Sequence, residues 1–341
     1  MNAAHALLSS LCREPDRARQ RLLRGKVGQL SSFRHLDLVE VLRHNPFFEL
    51  DPVDIGNIDS ALDDPHPEWE LLRNRQAAAR SDGWRIGIFA MPKSGSSFAS
   101  AAISSALGLR SFGLTSGAAD TGSTASFFGI NGREQELDEL AIILQTLRGQ
   151  GSWIAQHHTC FTPYFGLQLR FFGIRPVMMV RNIFDAIVSM DDMIVAWRKT
   201  GDWWGDPYSL PLDYHERERD LRLAILCQEF GIWLINFHLS WMRGLRLGLV
   251  DPLVLSYEED ILVPDRFVAR VGEHFSMDDA QRDRLRGYVA APDRNATRFN
   301  KGVAGRGNDI PEADRHRLID HARLFADELG NVGMTRLFGA L

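Results

Sequence analysis

One short segment of the sequence combines residue types that bind anions. Lys93, Ser94, Gly95, Ser96 and Ser97 follow directly after an apolar run at residues 84–90 and a Met-Pro pair. Glycine lets the backbone turn successive N–H groups toward one point, serines add hydroxyl donors, and a helix starting here would add the positive end of its dipole. This Lys93 loop, residues 93–97, is predicted to hold an anion, with the lysine stabilising charge on a transferred or leaving group. The alternative is a plain polar turn.

The order of residues in the Lys93 loop disfavours a nucleoside triphosphate. The Walker A pattern GxxxxGK(S/T) places its lysine after the second glycine, whereas Lys93 precedes the only glycine of the loop. A kinase-like phosphoryl transferase is therefore a minor alternative. A nucleotide-binding protein without catalytic activity is the other alternative.

A second basic element follows the apolar run at residues 177–180. Arg181 ends that run, and Ser189 lies eight residues later, about two helical turns into the next element. The planar guanidinium group of arginine matches phosphate oxygens. At the carboxyl end of a parallel strand it would face the same edge of the sheet as the Lys93 loop. The alternative is a structural ion pair with one of three aspartates, Asp185, Asp191 or Asp192.

Two adjacent histidines offer a base for proton transfer. His157 and His158 end the strand-like segment SWIAQHH, and a neutral imidazole near pH 7 can accept a hydroxyl proton. Consecutive strand side chains point to opposite faces, so only one of the two is expected to face the anion site. The other is expected to be structural.

The elements that must position these residues alternate between strand and helix. Strands are predicted at residues 84–90, 152–158, 175–181 and 252–260, and helices at 98–109, 163–172, 182–197, 216–244 and 311–329. This alternation predicts an α/β fold of three layers, with a central, mainly parallel sheet flanked by helices and right-handed crossovers. Residues 1–80 read as a helical N-terminal extension or cap, and residues 81–341 as the main domain.

The composition of the chain limits the kinds of partner it can bind and the cell compartment expected for it. A net charge of −5 gives no global attraction to nucleic acid or anionic lipid, so a local cluster must hold any bound anion. The three cysteines, Cys12, Cys160 and Cys227, lack metal or redox spacing and are predicted to be reduced thiols. We see no signal peptide and no apolar run of about 20 residues, so a cytoplasmic protein without a transmembrane segment is expected. A homo-oligomer is compatible with the sequence.

Two of these segments resemble a known family. FAMPKSGSSF resembles the 5′-phosphosulfate loop of the sulfotransferases that use 3′-phosphoadenosine 5′-phosphosulfate (PAPS), which usually reads PKSGTTW. VMMVRNIFDAIVSM resembles the 3′-phosphate element of the same family, in which an arginine and a serine eight positions on hold the 3′-phosphate. The resemblance implies that Arg181 and Ser189 hold this phosphate. It also implies that Phe98 stacks where the family usually has tryptophan.

Two further matches lie toward the C-terminus. TRFNKGVAGRGNDIP resembles the RKGxxGDW segment that closes over the 3′-phosphate, with Lys301, Gly302 and Gly305 matching and Asn300 in the place of the usual arginine. The phosphate contact is then assigned to Arg298, Lys301 or Arg306. LVLSYEED resembles the strand that ends in Tyr-Glu-Asp, which implies that Tyr257 lies beside the adenine.

The resemblance, which spans residues 84–310 in patches, implies a P-loop-like sulfotransferase architecture and the transfer of a sulfuryl group from PAPS to a hydroxyl, with PAP as product. Aligning the family's Lys-Thr-His segment assigns the base to His158, with His157 as the alternative, and puts Gln156 in the place of the lysine. The family also suggests that Ser189 restrains Lys93 until the acceptor binds. No metal is implied.

The acceptor is predicted to be a carbohydrate, a lipid or a small natural product. Segments between the nucleotide-binding elements would form its pocket. The candidates are residues 111–131, rich in Gly, Ser, Thr and Phe, and residues 197–214, which carry Trp203, Trp204 and Tyr208. Aromatic residues in such segments suit stacking on a sugar or a flat apolar molecule, and they equally suit burial against the core.

Overall fold

The computed structural model describes residues 50, 52–61, 67–114, 137–149, 151–200, 210–293 and 304–339. Its strands are β1 Arg85–Ala90, β2 Ser111–Phe112, β3 Trp153–His157, β4 Arg175–Val180 and β5 Leu253–Ser256. Its α-helices are α1 Pro52–Ala61, α2 Pro67–Arg80, α3 Ser96–Leu107, α4 Glu139–Arg148, α5 Pro163–Phe171, α6 Ile183–Thr200, α7 Arg219–Leu226, α8 Ile232–Arg246, α9 Pro264–His274, α10 Asp279–Ala290, α11 Glu312–Arg323 and α12 Ala326–Phe338.

All five strands run parallel, in the order β2-β3-β1-β4-β5. The predicted α/β class with a parallel sheet flanked by helices is confirmed. The two-residue strand β2 was not predicted, because a segment so short carries no periodicity. The order places β1 between β3 and β4, so the loop after β1 is flanked by the ends of the strands that carry the histidines and Arg181.

Strand β1 has apolar side chains on both faces, and those on opposite faces pack against different groups of residues. This is expected for a strand covered on both faces. Ile86 and Ile88 belong to a cluster that includes residues of α3, α9 and α10. The Phe89 ring contacts the rings of Phe165 and Trp241 at centroid distances of 4.8 and 5.3 Å. The sheet is therefore the middle layer of three.

The chain divides into two compact units, one formed by residues 1–82 with 171–173 and the other by residues 83–170 with 174–341. In the described part of the first unit, the Trp69 indole N–H donates to the Asp59 carboxylate, which joins α2 to α1. The Leu50 backbone N–H donates to Gln76 Oε1 at 3.1 Å. Most of the predicted N-terminal extension lies outside the described residues, and its role stays a prediction.

The strand predicted over residues 252–260 ends at Ser256, and Tyr257–Ile261 form a helical turn instead. Two helical predictions also differ from the structure in detail. The long helix predicted over residues 216–244 runs from Arg219 to Arg246 and contains a π-helical turn at Cys227–Gly231. The helix predicted over residues 311–329 is two helices, α11 and α12. Leu324 and Phe325 separate them, where backbone N–H groups bond three residues back rather than four.

Among the described residues, the helical run Arg219–Arg246 is long and apolar enough to cross a membrane by length and composition. However, 61 % of its most apolar window is buried inside the protein. Trp241 is one of these buried side chains, packed against the Phe89 ring of the sheet. Helices that cover a sheet in a protein core have the same composition, so this finding is weak evidence for a membrane span.

His238, on α8, is completely buried, and neither ring nitrogen has a hydrogen-bond partner in the described structure. Burial, together with the charge of Arg336, lowers its pKa to about 3. An ordinary histidine titrates near 6.5, so the unfolded chain takes up this proton at a higher pH than the folded chain does.

We therefore expect acid to destabilise the fold as the pH falls below about 6.5, the unfolded pKa, and the loss to continue toward pH 3. Each such histidine contributes about a tenfold change in the unfolding constant per pH unit in this window. Urea unfolding at about pH 7 and about pH 5 measures it. His238→Met should show a pH slope smaller by about one proton, and equal slopes for variant and parent would contradict the prediction.

Candidate functional site

The Lys93 loop leaves β1 through a turn of unusual backbone conformation. Lys93 and Gly95 both lie in the left-handed region, with φ of 69° and 83°. The turn is held by Ser94, whose hydroxyl and backbone N–H both donate to the Met91 carbonyl, at 2.6 and 3.2 Å. A non-glycine residue at positive φ costs energy, and such residues concentrate at functional sites.

Helix α3 begins immediately after this turn, at Ser96. Gly95 is its N-cap residue, and within the described structure no side chain caps the helix. The first N–H groups of a helix have no acceptor inside the helix and carry partial positive charge. Together with Lys93 and Ser97, which are half-buried, they form a set of donors without an acidic residue in the loop. This donor set fits a phosphate or sulfate group.

Gly95 is tightly packed against the segment that follows β5. A Cβ atom at this position would lie 3.1 Å from Ile261 and 3.3 Å from the Tyr257 ring, and φ is positive. Glycine is required here both by conformation and by space. Tyr257, predicted to lie beside the adenine, therefore forms part of the wall behind the Lys93 loop.

Arg181 is the residue that ties β4 to the Lys93 loop. Its Nη1 donates to the Lys93 carbonyl at 2.7 Å, and its guanidinium group lies 4.1 Å from the centroid of the Tyr257 ring. Burial lowers the pKa of Arg181, while Tyr257, Asp185 and Glu258 raise it. Arginine stays protonated under such conditions, so a full positive charge is held beside the loop.

Helix α6 carries Ser189 and also contacts Lys93. Ser189 is buried in this helix, and Lys93 Nζ lies 3.5 Å from the sulfur of Met193, one helical turn further along. Residues four apart share a face of a helix. The structure thus brings the Lys93 ammonium group to the face of α6 that carries Ser189.

The two histidines have different hydrogen-bond partners. His157 Nε2 accepts the Leu114 N–H at 3.0 Å, and burial, followed by the charge of His158, lowers the His157 pKa to about 3. The His158 Nδ1 atom lies 2.6 Å from the Ala90 carbonyl, which can only accept, so Nδ1 carries the proton in the neutral ring. The basic lone pair of His158 is then on Nε2. These contacts favour His158 over His157 as the base.

The glycine-rich segment near the C-terminus, residues 297–311, is described only from residue 304 onward. Lys301 and Gly302, predicted to bind the 3′-phosphate, lie outside the described residues, as do Asn300 and Arg298. Arg306, the third candidate for that contact, forms a 2.6 Å ion pair with Asp192.

Asp185 anchors the described part of this segment to the start of α6. Its buried carboxylate accepts the N–H groups of Gly305 and Gly307, at 2.8 and 2.7 Å. Phe184 leaves no room for a side chain on Gly307, because a Cβ there would lie 2.4 Å from the Phe184 Cβ. The sequence alone offers Asp185 as an ion-pair partner of Arg181, whereas in the structure each of its carboxylate oxygens accepts one of these backbone N–H groups. A cavity of about 390 Å³ lies beside this contact.

The Phe98 ring is directed into the hydrophobic core. It is 9 % exposed and contacts Phe267 of α9 and Tyr288 of α10, at centroid distances of 5.6 and 6.3 Å. Its predicted stacking role stays a prediction. Within the described part of the chain, no group of three or more His, Cys, Asp or Glu side chains could hold a metal ion.

Comparison with known proteins finds similarity to solved structures. No protein-family model matches the chain, and no curated protein matches it. Among solved structures, mouse sulfotransferase SULT7A1 complexed with PAP is similar, with a TM-score of 0.46 and 16 % sequence identity. The alignment covers 73 % of this chain and 86 % of that one.

Sequence reasoning missed two contacts of the site. Glu258 Oε1 accepts the Asn182 N–H at 3.0 Å, which joins the segment after β5 to the start of α6. Gln156 Nε2 donates to Ser96 Oγ at 2.8 Å, which joins β3 to the start of α3. The acidic pair after Tyr257 and the glutamine in place of a lysine were the available signals, but neither identifies a partner 60 or more residues away.

Proposed function

We propose that this chain is a sulfotransferase that moves a sulfuryl group from PAPS to an acceptor hydroxyl. The observation that carries the proposal is a pair of hydrogen bonds to the backbone around the Lys93 loop. His158 bonds to the Ala90 carbonyl, and Arg181 bonds to the Lys93 carbonyl three residues later. The proposed base and the proposed phosphate-binding cation thus both bond to one short stretch of chain, from the ends of the two strands that flank it.

The charges around the loop suit a donor with several negative groups. Lys93 and Arg181 supply positive charge, and the N-terminus of α3 supplies backbone donors. The nearby carboxylates are already hydrogen-bonded: Asp185 to two backbone N–H groups, and Glu258 to the Asn182 N–H and the Ser256 hydroxyl. The site therefore presents donors where the two ends of a 3′,5′-bisphosphorylated nucleotide would bind.

In the proposed reaction PAPS supplies an activated sulfuryl group. His158 Nε2 accepts the proton of the acceptor hydroxyl while that oxygen forms a bond to sulfur in line with the leaving group. The bond between sulfur and the 5′-phosphate oxygen breaks, and Lys93 stabilises the electron pair left on that oxygen. Arg181 and Ser189 hold the 3′-phosphate, as the family resemblance implies.

The proposal includes further nucleotide contacts that rest on the family resemblance alone. They are made by Tyr257, Phe98, Lys301 and Gly302. The acceptor is proposed to be a hydroxyl compound of the carbohydrate, lipid or small natural product class. Two segments are predicted to bind it. Residues 115–131 of the first, and residues 201–209 of the second with Trp203, Trp204 and Tyr208, lie outside the described residues.

The donor assignment is tested by calorimetric titration of the purified chain with PAP and, separately, with ATP. We expect PAP to bind roughly a hundred-fold more tightly, because the Walker A arrangement is missing and Arg181 is proposed to bind the 3′-phosphate, which ATP lacks. Equal affinities, or no binding of PAP, would contradict the proposal and favour the kinase-like or non-catalytic alternatives.

A further inference from the structure

Gln156 and Ser96 connect the strand of the proposed base to the proposed donor loop. Gln156 lies in β3, paired with Ile88 of β1, two residues before His158. Its side-chain amide Nε2 donates to the hydroxyl of Ser96, the first residue of α3, at 2.8 Å. Ser96 is buried, and Gln156 is half-buried.

This contact determines how the Ser96 hydroxyl can bond. A serine hydroxyl has one hydrogen to donate and two lone pairs that accept. One lone pair is used by the Gln156 amide, and in the described part of the chain the hydroxyl donates to no acceptor. The surrounding first turn of α3 offers N–H groups rather than carbonyls. The hydroxyl hydrogen can then be donated to an anion bound in the Lys93 loop.

We propose that Gln156 is a positioning residue that holds Ser96 so that its hydroxyl donates to the 5′-phosphosulfate end of the donor. The inference rests on the proposed function and deepens it. Because the amide is neutral, Gln156 supplies no charge to this end of the site, in contrast to the lysine that the family has at the same place. Lys93 then carries the positive charge for the transferred group.

Gln156 donates the hydrogen bond to Ser96, and this direction predicts how variants at position 156 rank in their affinity for a 5′-phosphate. Gln156→Ala removes the bond that holds Ser96. Gln156→Glu keeps the size but replaces the donor with a carboxylate, which would accept the Ser96 hydrogen and repel the bound anion. Gln156→Lys keeps a donor and adds a charge. Affinity for a 5′-phosphate should therefore follow the order Lys, Gln, Ala, Glu, from strongest to weakest.

The test compares two probes by calorimetry: PAP, and adenosine 3′-monophosphate, which lacks the 5′-phosphate. The ratio of their affinities reports the 5′ end alone. We expect Gln156→Ala and Ser96→Ala each to lower this ratio roughly tenfold, and Gln156→Glu roughly a hundred-fold, with the affinity for adenosine 3′-monophosphate unchanged. The Gln156→Ala/Ser96→Ala double variant should be no worse than Ser96→Ala, because both changes remove one interaction.

Gln168→Ala is the matched control. Gln168 is also a hydrogen-bonded glutamine, with Nε2 donating to the Leu137 carbonyl at 3.0 Å, and it is buried. This variant should lower the melting temperature without changing the ratio. The inference is overturned if Gln156→Ala leaves the ratio unchanged, lowers both affinities equally, or adds to Ser96→Ala. If the parent chain itself binds both probes equally, the proposed donor site is wrong, and that outcome is separate.

Discussion

Replacing His158 by alanine is expected to reduce sulfuryl transfer roughly a thousand-fold while leaving the affinity for PAP within about twofold. His158 Nδ1–H is bonded to the Ala90 carbonyl, which places the basic lone pair on Nε2. Without it, the acceptor oxygen must attack while still protonated. The measurement is transfer of labelled sulfate from PAPS to naphthol, methyl glucoside and decanol, which represent phenolic, sugar and alkyl hydroxyls, alongside calorimetry with PAP.

His157→Ala is the control for this prediction, because the two side chains are adjacent and similarly buried. Loss of His157 leaves the buried Leu114 N–H without its acceptor, which costs about 1–3 kcal/mol of stability. This variant should melt at a lower temperature and retain most of its transfer rate. Added imidazole should partly restore transfer in His158→Ala.

The opposite pattern would reassign the base. If His157→Ala abolishes transfer and His158→Ala does not, the alignment with the Lys-Thr-His segment is displaced by one residue. If both variants transfer sulfate as fast as the parent chain, neither histidine is the base, and proton removal belongs to another group.

Replacing Arg181 by alanine is expected to weaken PAP binding roughly a hundred-fold. Two effects act together. The variant removes the guanidinium group proposed to bind the 3′-phosphate, and it removes the 2.7 Å hydrogen bond that holds the Lys93 carbonyl. Because Lys93 is at positive φ, loss of this bond frees a strained turn to relax away from its anion-binding shape. Calorimetric titration with PAP is the measurement.

Arg181→Lys and Arg222→Ala separate these effects. Lysine keeps the charge but lacks the planar fork, so it should recover only part of the affinity. Arg222 is an arginine of similar type whose ion pair with the buried Asp191, at 2.8 Å, lies outside the proposed donor site. Arg222→Ala should lower stability and leave PAP affinity unchanged. Equal losses of PAP affinity in Arg181→Ala and Arg222→Ala would indicate general destabilisation instead of a phosphate contact.

Much of the fold could be predicted from the sequence because its signals are local. The apolar runs that become β1, β3, β4 and β5 are bounded by turn residues, and long amphipathic segments separate them. For the same reason, the predicted ends of these strands lie within a few residues of the observed ends. The sequence did not predict β2 or the division of the last predicted helix. Both are short segments whose conformation depends on contacts with residues elsewhere in the chain.

The candidate site was predicted less completely, since its contacts join residues far apart in the sequence. The Arg181 side chain meets the Lys93 carbonyl across 88 positions, and the Asp185 carboxylate meets the Gly307 N–H across 122. No periodicity or local motif encodes such a pair. Resemblance to a family identified Arg181 but not its backbone partner, and it assigned Asp185 no role.

By itself, then, the sequence determined the local structure around Lys93, because a glycine-containing polar turn between an apolar run and a helix-forming segment specifies a strand, a tight turn and a helix start. Only the tertiary structure decided which side chains surround that loop. Placing β1 between β3 and β4 brings His158 and Gln156 to one side and Arg181 to the other. Strand order and the direction of each imidazole depend on long-range packing and hydrogen bonding, which act only once the chain is folded.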